Sequence, residues 1–305
     1  MARAPTRFRS AVSRKKPPAA ERRPRGSAGT PAGTSTLRAL RDFARAGQRH
    51  RYGPGASQTA ELRLPPRVDG PLPVVVTIHG GYWQARHSRR MTRPLAADLA
   101  RRGWATWNLE YRRVGRQGGG WPSTFEDVAA GIDRLAEAGD ERLNLDRVAA
   151  VGHSAGGLLA LWAAARPGLP AGAPGADPRV RLGAVAALGA VSDLEADPQL
   201  TRPGQPVHDL MGGSPDEMPE RYELANPRCR LPLGIPLLLV HGDADEMIPV
   251  AHTREFAATA REAGDQVETI EFPGANHMAV ADTRTAGWEA TVGWLGELGW
   301  AGARD

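Results

Sequence analysis

The sequence predicts an α/β fold with a mainly parallel central sheet and helices on both of its faces. From residue 60 to residue 298, short apolar, β-branched runs alternate with helical patterns, the signature of strand–helix–strand units and a parallel sheet. The strand runs are almost continuously hydrophobic instead of alternating with polar residues, so both sheet faces must be covered. At 305 residues, 41% hydrophobic and 24% charged, the chain can bury one large core in a single domain.

Residues 1–51 are set apart by composition. They hold 14 Arg or Lys against the two acids Glu21 and Asp42, a balance of +12, whereas the rest of the chain carries −7. The overall +5 therefore belongs to this Arg-rich extension, and the catalytic-domain candidate, residues 52–305, is mildly acidic. Few large apolar residues precede Leu37, so disorder is expected through about residue 35. Leu37, Leu40 and Phe43 are spaced for a short helix. No apolar stretch of the export type follows the charges, and the lone Cys229 leaves no internal disulfide framework. Both point to a cytoplasmic protein. Such a run is also compatible with contact to nucleic acid or an anionic surface.

The elements then follow in order. Residues 60–64 read as a strand. Residues 73–79, Pro-Val-Val-Val-Thr-Ile-His, read as a buried strand broken by Gly80-Gly81. A helix is expected over 91–102 from Leu95, Ala96 and Leu99, and a strand over 104–110. Gly118-Gly119-Gly120-Trp121-Pro122 is a loop, with Trp121 read as a packing residue. Ser123-Thr124-Phe125-Glu126 has the form of a capping box opening a helix to Ala138. Residues 147–153 are the next strand and 156–166 its helix. A further strand lies within 180–191. Residues 193–233 lose the pattern: Pro198, Pro203-Gly204, Gly212-Gly213-Ser214-Pro215 and Pro227 allow only short helical pieces. This segment is a short irregular cap that walls part of a pocket. Strands at 235–240 and 266–272, and helices at 250–263 and 283–298, complete the domain.

Chemistry concentrates at strand ends. Gly152-His153-Ser154-Ala155-Gly156 is a G-x-S-x-G run between a β-type segment and an apolar helix. A serine on so tight a turn needs small neighbours two before and two after it. The turn also aims a helix N-terminus at any negative charge forming beside the serine. His79-Gly80-Gly81-Tyr82-Trp83 ends its strand in glycines that let backbone N–H groups approach a substrate oxygen. Downstream, His241-Gly242-Asp243-Ala244-Asp245 and Gly274-Ala275-Asn276-His277 each follow a strand, so Ser154, Asp245 and His277 fall in the chain order nucleophile, acid, base.

Over roughly residues 52–297 the chain resembles the α/β-hydrolases with an HGG oxyanion loop, the group of hormone-sensitive-lipase-like esterases and kynurenine formamidases. His79-Gly80-Gly81-Tyr82-Trp83-Gln84 is especially similar to the kynurenine formamidase loop. The resemblance implies an α/β-hydrolase fold, Ser154 as nucleophile, Asp245 as acid and His277 as base. It implies oxyanion donors at Gly81 and Ala155, with Gly80 shaping the loop or adding a further N–H. The chain departs from better-known members in showing no long lid segment.

The expected activity is serine hydrolysis of a small acyl or aryl ester through an acyl-enzyme. An aryl-formamide hydrolase is the alternative, resting on Tyr82 and Trp83 as pocket aromatics. A catalytically idle ligand receptor or scaffold is a third reading. His153, at the variable position of the elbow, is expected to shape the pocket. His79 and His241 are read as structural hydrogen-bonding residues. Asp243 competes with Asp245 for the acid role, the H-G-x-x-D spacing favouring Asp245, and Asp193 is an outside candidate. Cys229 has no elbow around it and is not read as a nucleophile. No CxxC or HExxH pattern is present, so no metal or cofactor is expected. No run of 18 apolar residues exists to span a membrane.

Overall fold

Neighbouring side chains of strand β3 (Leu72–Ile78) leave the sheet on opposite sides, as the two-residue period of a strand requires. Val74, Val76 and Ile78 enter one apolar cluster and Val75 the other. These residues belong to a computed structural model that describes residues 47–66, 70–115 and 118–300. The remaining strands are β1 (Gln48–Arg51), β2 (Thr59–Arg63), β4 (Ala105–Leu109), β5 (Leu143–His153), β6 (Ala184–Leu188), β7 (Leu237–Gly242) and β8 (Val267–Phe272). They form one sheet in the order β1-β2-β4-β3-β5-β6-β7-β8. The first two pairings are antiparallel and all others parallel.

The helices are α1 (Arg93–Arg101), α2 (Ser123–Asp133), α3 (Ala155–Ala165), α4 (Pro206–Met211), α5 (Pro219–Ala225), α6 (Val250–Ala263) and α7 (Ala286–Glu297). One face of the sheet packs on α2, α3 and α6 through residues such as Phe125, Trp162 and Phe256. The opposite face packs on α1 and α7 through Leu95, Leu99, Trp288 and Leu295. Every residue of α3 is buried, so its N-terminus is a fixed point in the molecule. Because β3 to β8 run parallel, the loops that follow them open at one edge of the sheet. Strand order reverses beside β3, the place where open α/β sheets put their ligand sites.

The structure corrects three expectations. The sheet begins at Gln48, inside the segment assigned to the Arg-rich extension of residues 1–51. Its charged sequence, Gln-Arg-His-Arg, suits an edge strand, where one side has no strand partner and charge discourages further pairing. Only His50 of this strand is buried, its ring 5.0 Å from that of Trp107. The capping box at Ser123 does not form. Pro122 occupies the N-cap position with no side-chain cap, and Thr124 ties down the turn instead, accepting from Gly120 N (2.9 Å) and donating to the Arg112 carbonyl (2.7 Å). The segment 193–233 holds short helical pieces as expected, α4 and α5, but it packs into the fold and is no separate irregular cap: Val207, Leu210, Met211 and Tyr222 join the main core. The expectations for residues 1–46 lie outside the described residues. Trp121 packs edge-on against Phe125 at 5.1 Å, as a packing residue should.

Trp288 is fully buried between α7 and the sheet, and its indole N–H donates to Asp98 on α1 at 2.8 Å. Trp288→Ala removes that packing and leaves Asp98 short of a donor. We expect a loss of about 3–5 kcal/mol in urea denaturation; a loss below about 1 kcal/mol would show that this helix contributes little to the core.

Candidate active site

Residue types at the end of β5 are dictated by crowding. Ser154 has φ 56° and ψ −123°, a conformation costly for a residue with a side chain. It persists because its surroundings over-determine it. Ser154 N donates to Leu188 O of β6 at 2.8 Å, and the Ser154 carbonyl accepts from Gly157 N (2.8 Å) and Val191 N (3.3 Å). A Cβ at Gly152 would overlap the Gly156 carbonyl oxygen. One at Gly156 would overlap the carbonyl oxygens of Ile78 and His79. The two glycines that flank the serine are thus required by contacts with backbone atoms, which cannot give way.

The His79-Gly80-Gly81 loop lies directly on this turn. A Cβ at Gly80 would stand 2.6 Å from the His153 carbonyl oxygen and 2.9 Å from Ser154 Cβ. Gly81, Tyr82 and Trp83 then follow in succession at positive φ, 102°, 49° and 56°. The loop is held in this strained form by a buried polar network. Tyr111 stacks on His79 at 4.3 Å and donates its hydroxyl to the His79 carbonyl at 2.7 Å. His79 Nε2 meets Glu110 Oε1 at 2.9 Å. Glu110 also receives Arg113 Nη1 (2.9 Å) and the Arg89 backbone N–H (3.2 Å). Burial alone would raise the Glu110 carboxyl. The His79 hydrogen bond, the Arg113 charge and the Arg89 N–H outweigh it and hold the group below its ordinary value. Among the described residues, no backbone or side-chain acceptor takes the N–H of Gly81 or Ala155.

The candidate acid and base, Asp245 and His277, lie on the loops that follow β7 and β8. His277 Nδ1 donates to Asp245 Oδ2 at 2.6 Å. Asp245 accepts only, so Nδ1 carries the proton and Nε2 is left as the acceptor. The Asp245 side chain is fully buried, and its two oxygens are saturated. Oδ1 accepts the N–H groups of Met247 and Ile248, both at 2.9 Å. Oδ2 also lies 3.1 Å from His241 Nε2. Burial works to raise this carboxyl, but the Ile248 N–H, the His277 ring and the Met247 N–H prevail and keep it below the usual carboxylate value. His241 is kept neutral by burial. With the Thr253 hydroxyl at its Nδ1 (2.7 Å), its Nε2–H faces Ile248 O (2.9 Å) and Asp245. Gly189, at φ 49°, gives the pair its space: a Cβ there would sit 3.3 Å from His277 Nδ1 and 3.4 Å from Asp245 Oδ2.

His153 joins the two halves. Its ring centroid is 4.7 Å from that of His277, and its Nε2 donates to the His277 carbonyl at 3.0 Å. The residue preceding Ser154 therefore docks the His277 loop onto the turn at Ser154. Burial, and then the nearby His277, push the His153 pKa down to about 4, so the ring is neutral and carries a single N–H.

Of the sequence candidates, Ser154, Asp245, His277, Gly80, Gly81 and Ala155 meet at this edge. Asp243 is engaged by Gly274 N at 2.6 Å. Asp193 is engaged by Asn226 (2.7 Å) and Arg228 (2.8 Å); neither faces His277. Trp83 is a correction. It is fully buried in the main core and offers no surface to a pocket, because positive φ at Tyr82 and Trp83 turns the chain inward. Tyr82 stays half-buried and donates to the Met247 carbonyl at 3.3 Å. The Cys229 thiol is pushed up to about 11, first by burial and then by Glu223 and Glu195, and is no nucleophile at neutral pH. His79 and His241 are the structural hydrogen-bonding residues the sequence reading takes them for, but their carboxylate partners, Glu110 and Asp245, escape that reading. Glu110-Tyr111-Arg112-Arg113, a polar run ending an apolar strand, was the available signal. Among the described residues, no cluster of three or more His, Cys, Asp or Glu is placed for a metal, and no helix is long and apolar enough to cross a membrane.

The BD-FAE family model matches residues 60–259. Esterase LipQ of Mycobacterium tuberculosis is 30% identical over 240 residues, 74% of this chain and 55% of that protein. The probable carboxylic ester hydrolase LipM of the same organism is 30% identical over 272 residues, 83% of this chain and 60% of that protein. The chain thus spans little more than half the length of the curated relatives it matches. Among solved structures, the propionate-bound esterase Est2 of Thermogutta terrifontis aligns with a TM-score of 0.70 at 22% identity, covering 86% of this chain and 98% of that one. A truncated carbohydrate esterase from gut microbiota aligns at 0.72 and 21%, covering 84% and 96%. At these identities the likeness is one of fold.

The buried histidine beside the serine has a consequence of definite sign. Folded, His153 stays neutral down to about pH 4, whereas the unfolded chain binds its proton near 6.5. Between these values the unfolded state holds the extra proton, so stability falls as pH falls through that window. At about 1.36 kcal/mol per unit, the loss is on the order of 3 kcal/mol. His153→Gln keeps an N–H donor and removes the titration. We expect a shallower loss of stability from pH 6.5 to 4 in urea titrations of the variant; equal slopes for both proteins would contradict the assignment.

Proposed function

The chain belongs to the BD-FAE family of α/β-hydrolases, and we propose that it is a serine hydrolase cleaving small acyl or aryl carboxylic esters through an acyl-enzyme. The observation that carries this reading is the buried Asp245–His277 pair, 2.6 Å apart and docked through His153 onto the turn that presents Ser154. The names of LipQ and LipM support it.

A serine hydroxyl is a poor nucleophile at neutral pH. His277 Nε2 takes its proton as Oγ attacks the ester carbonyl, and Asp245 holds the imidazole in that tautomer and stabilises its cationic form. The N–H groups of Ala155 and Gly81 receive the alkoxide of the tetrahedral intermediate, each contributing on the order of 3 kcal/mol. Gly80 shapes that loop by its close approach to the elbow. His277 then protonates the departing alcohol, and water repeats the cycle on the acyl-enzyme. Fixing these donors beforehand is what the buried helix α3 and the Glu110 network provide.

The aryl-formamide alternative drew on Tyr82 and Trp83 together. With Trp83 in the core and the relatives named as esterases, ester cleavage is the reading kept. Labelling with a fluorophosphonate probe tests it and also separates it from an idle receptor. We expect one adduct, mapped to Ser154, and a fall of at least about 10⁴-fold in kcat on p-nitrophenyl acetate for Ser154→Ala with unchanged folding. Near-wild-type turnover by that variant, or an adduct elsewhere, would overturn the assignment.

A further inference from the structure

Among the described residues, two large hydrophobic side chains stand exposed, Met247 at 46% and Met278 at 53%. Their positions are not scattered. Met278 immediately follows His277, and Met247 lies two residues beyond Asp245. An apolar side chain left exposed beside a polar site offers surface that a ligand can cover, and methionine's unbranched, polarisable chain adapts to varied apolar shapes. Both backbones are pinned: Met247 N donates to Asp245 Oδ1 (2.9 Å) while its carbonyl accepts from Tyr82 (3.3 Å), and Met278 N donates to Asn276 Oδ1 (3.2 Å). The lip is held in place while its side chains remain free.

Proton transfer decides which half of an ester meets this lip. The acyl carbonyl is bound by N–H groups from the oxyanion loop and the elbow. The leaving oxygen must instead reach His277 Nε2 to take its proton, so the alcohol lies against the loops that carry His277 and Asp245. We propose that Met247 and Met278 form the leaving-group subsite, and that the preferred substrates are esters of neutral alcohols with an apolar body. The proposal rests on the esterase reading above. Burial, and then the charges of Asp245 and Asp197, hold the Tyr82 hydroxyl above its ordinary value, and negative charge beside that hydroxyl disfavours an anionic alcohol there.

Two ester series separate the halves of the substrate. In n-alkyl acetates from ethyl to hexyl, the acyl group and the leaving-group chemistry stay nearly constant while the apolar body grows. In p-nitrophenyl esters from acetate to octanoate, only the acyl chain grows. For the native protein we expect kcat/KM to rise at least tenfold from ethyl to hexyl acetate, about 1.4 kcal/mol. In the double variant Met247→Gln, Met278→Gln that ratio should fall to about threefold or less, while the octanoate-to-acetate ratio moves by less than about twofold. An alkyl-acetate ratio unaffected by the substitutions, or one that flattens together with the acyl series, would overturn the subsite. Absence of both ester turnover and Ser154 labelling in the native protein would instead bring down the esterase reading, and the subsite with it.

Discussion

Three backbones meet at the C-terminal end of β5 with no room for a single side-chain carbon between them. Gly156 lies against the carbonyls of Ile78 and His79, Gly152 against that of Gly156, and Gly80 against His153 and Ser154. Steric exclusion on this scale is steep, and backbone atoms have no rotamer through which to escape it. The strained conformation of Ser154, the close seat of the oxyanion loop and the start of α3 at Ala155 all depend on these contacts. Because every residue of α3 is buried, the turn is anchored in the core behind it.

Two buried carboxylates stabilise the loops that converge on this turn, and they do so by the same physics. Burial of a carboxylate is unfavourable unless partners satisfy its charge. Asp245 has two backbone N–H donors on one oxygen and two imidazoles at the other. Glu110 has a histidine, an arginine and a backbone N–H. In both, the partners outweigh desolvation, and the groups remain ionised below their usual range. The division of labour follows from position. Asp245 orients the His277 ring, whereas Glu110 binds His79 and holds the His79-Gly80-Gly81 loop.

His153 links these assemblies. It sits on the strand that delivers Ser154, yet its hydrogen bond goes to the loop that delivers His277. A protonated histidine there would place a positive charge 4.7 Å from the His277 ring. Complete desolvation keeps it neutral, so it acts as an uncharged strut beside His277.

Hydrophobic period, glycine placement and strand-end motifs determined the layered α/β fold and the tight turn at Ser154, and they picked out Ser154, Asp245 and His277, which the fold carries on loops at one sheet edge. These features are written in local chemistry: a buried parallel strand must be apolar along its length, and a tight turn must be small at fixed offsets. What only the tertiary structure decided depends on residues far apart in the chain. The edge strand at Gln48–Arg51 looked like part of a basic tail, because an edge strand with one buried side chain has no apolar run to betray it. Trp83 adjoins the oxyanion glycines in sequence, but two successive positive φ values carry it into the core, and no pattern of residue types specifies those angles. The engagement of Asp193 by Arg228, of Asp245 by His241 and of Glu110 by His79 required the fold itself, since a carboxylate's partner is fixed by which strand ends lie side by side.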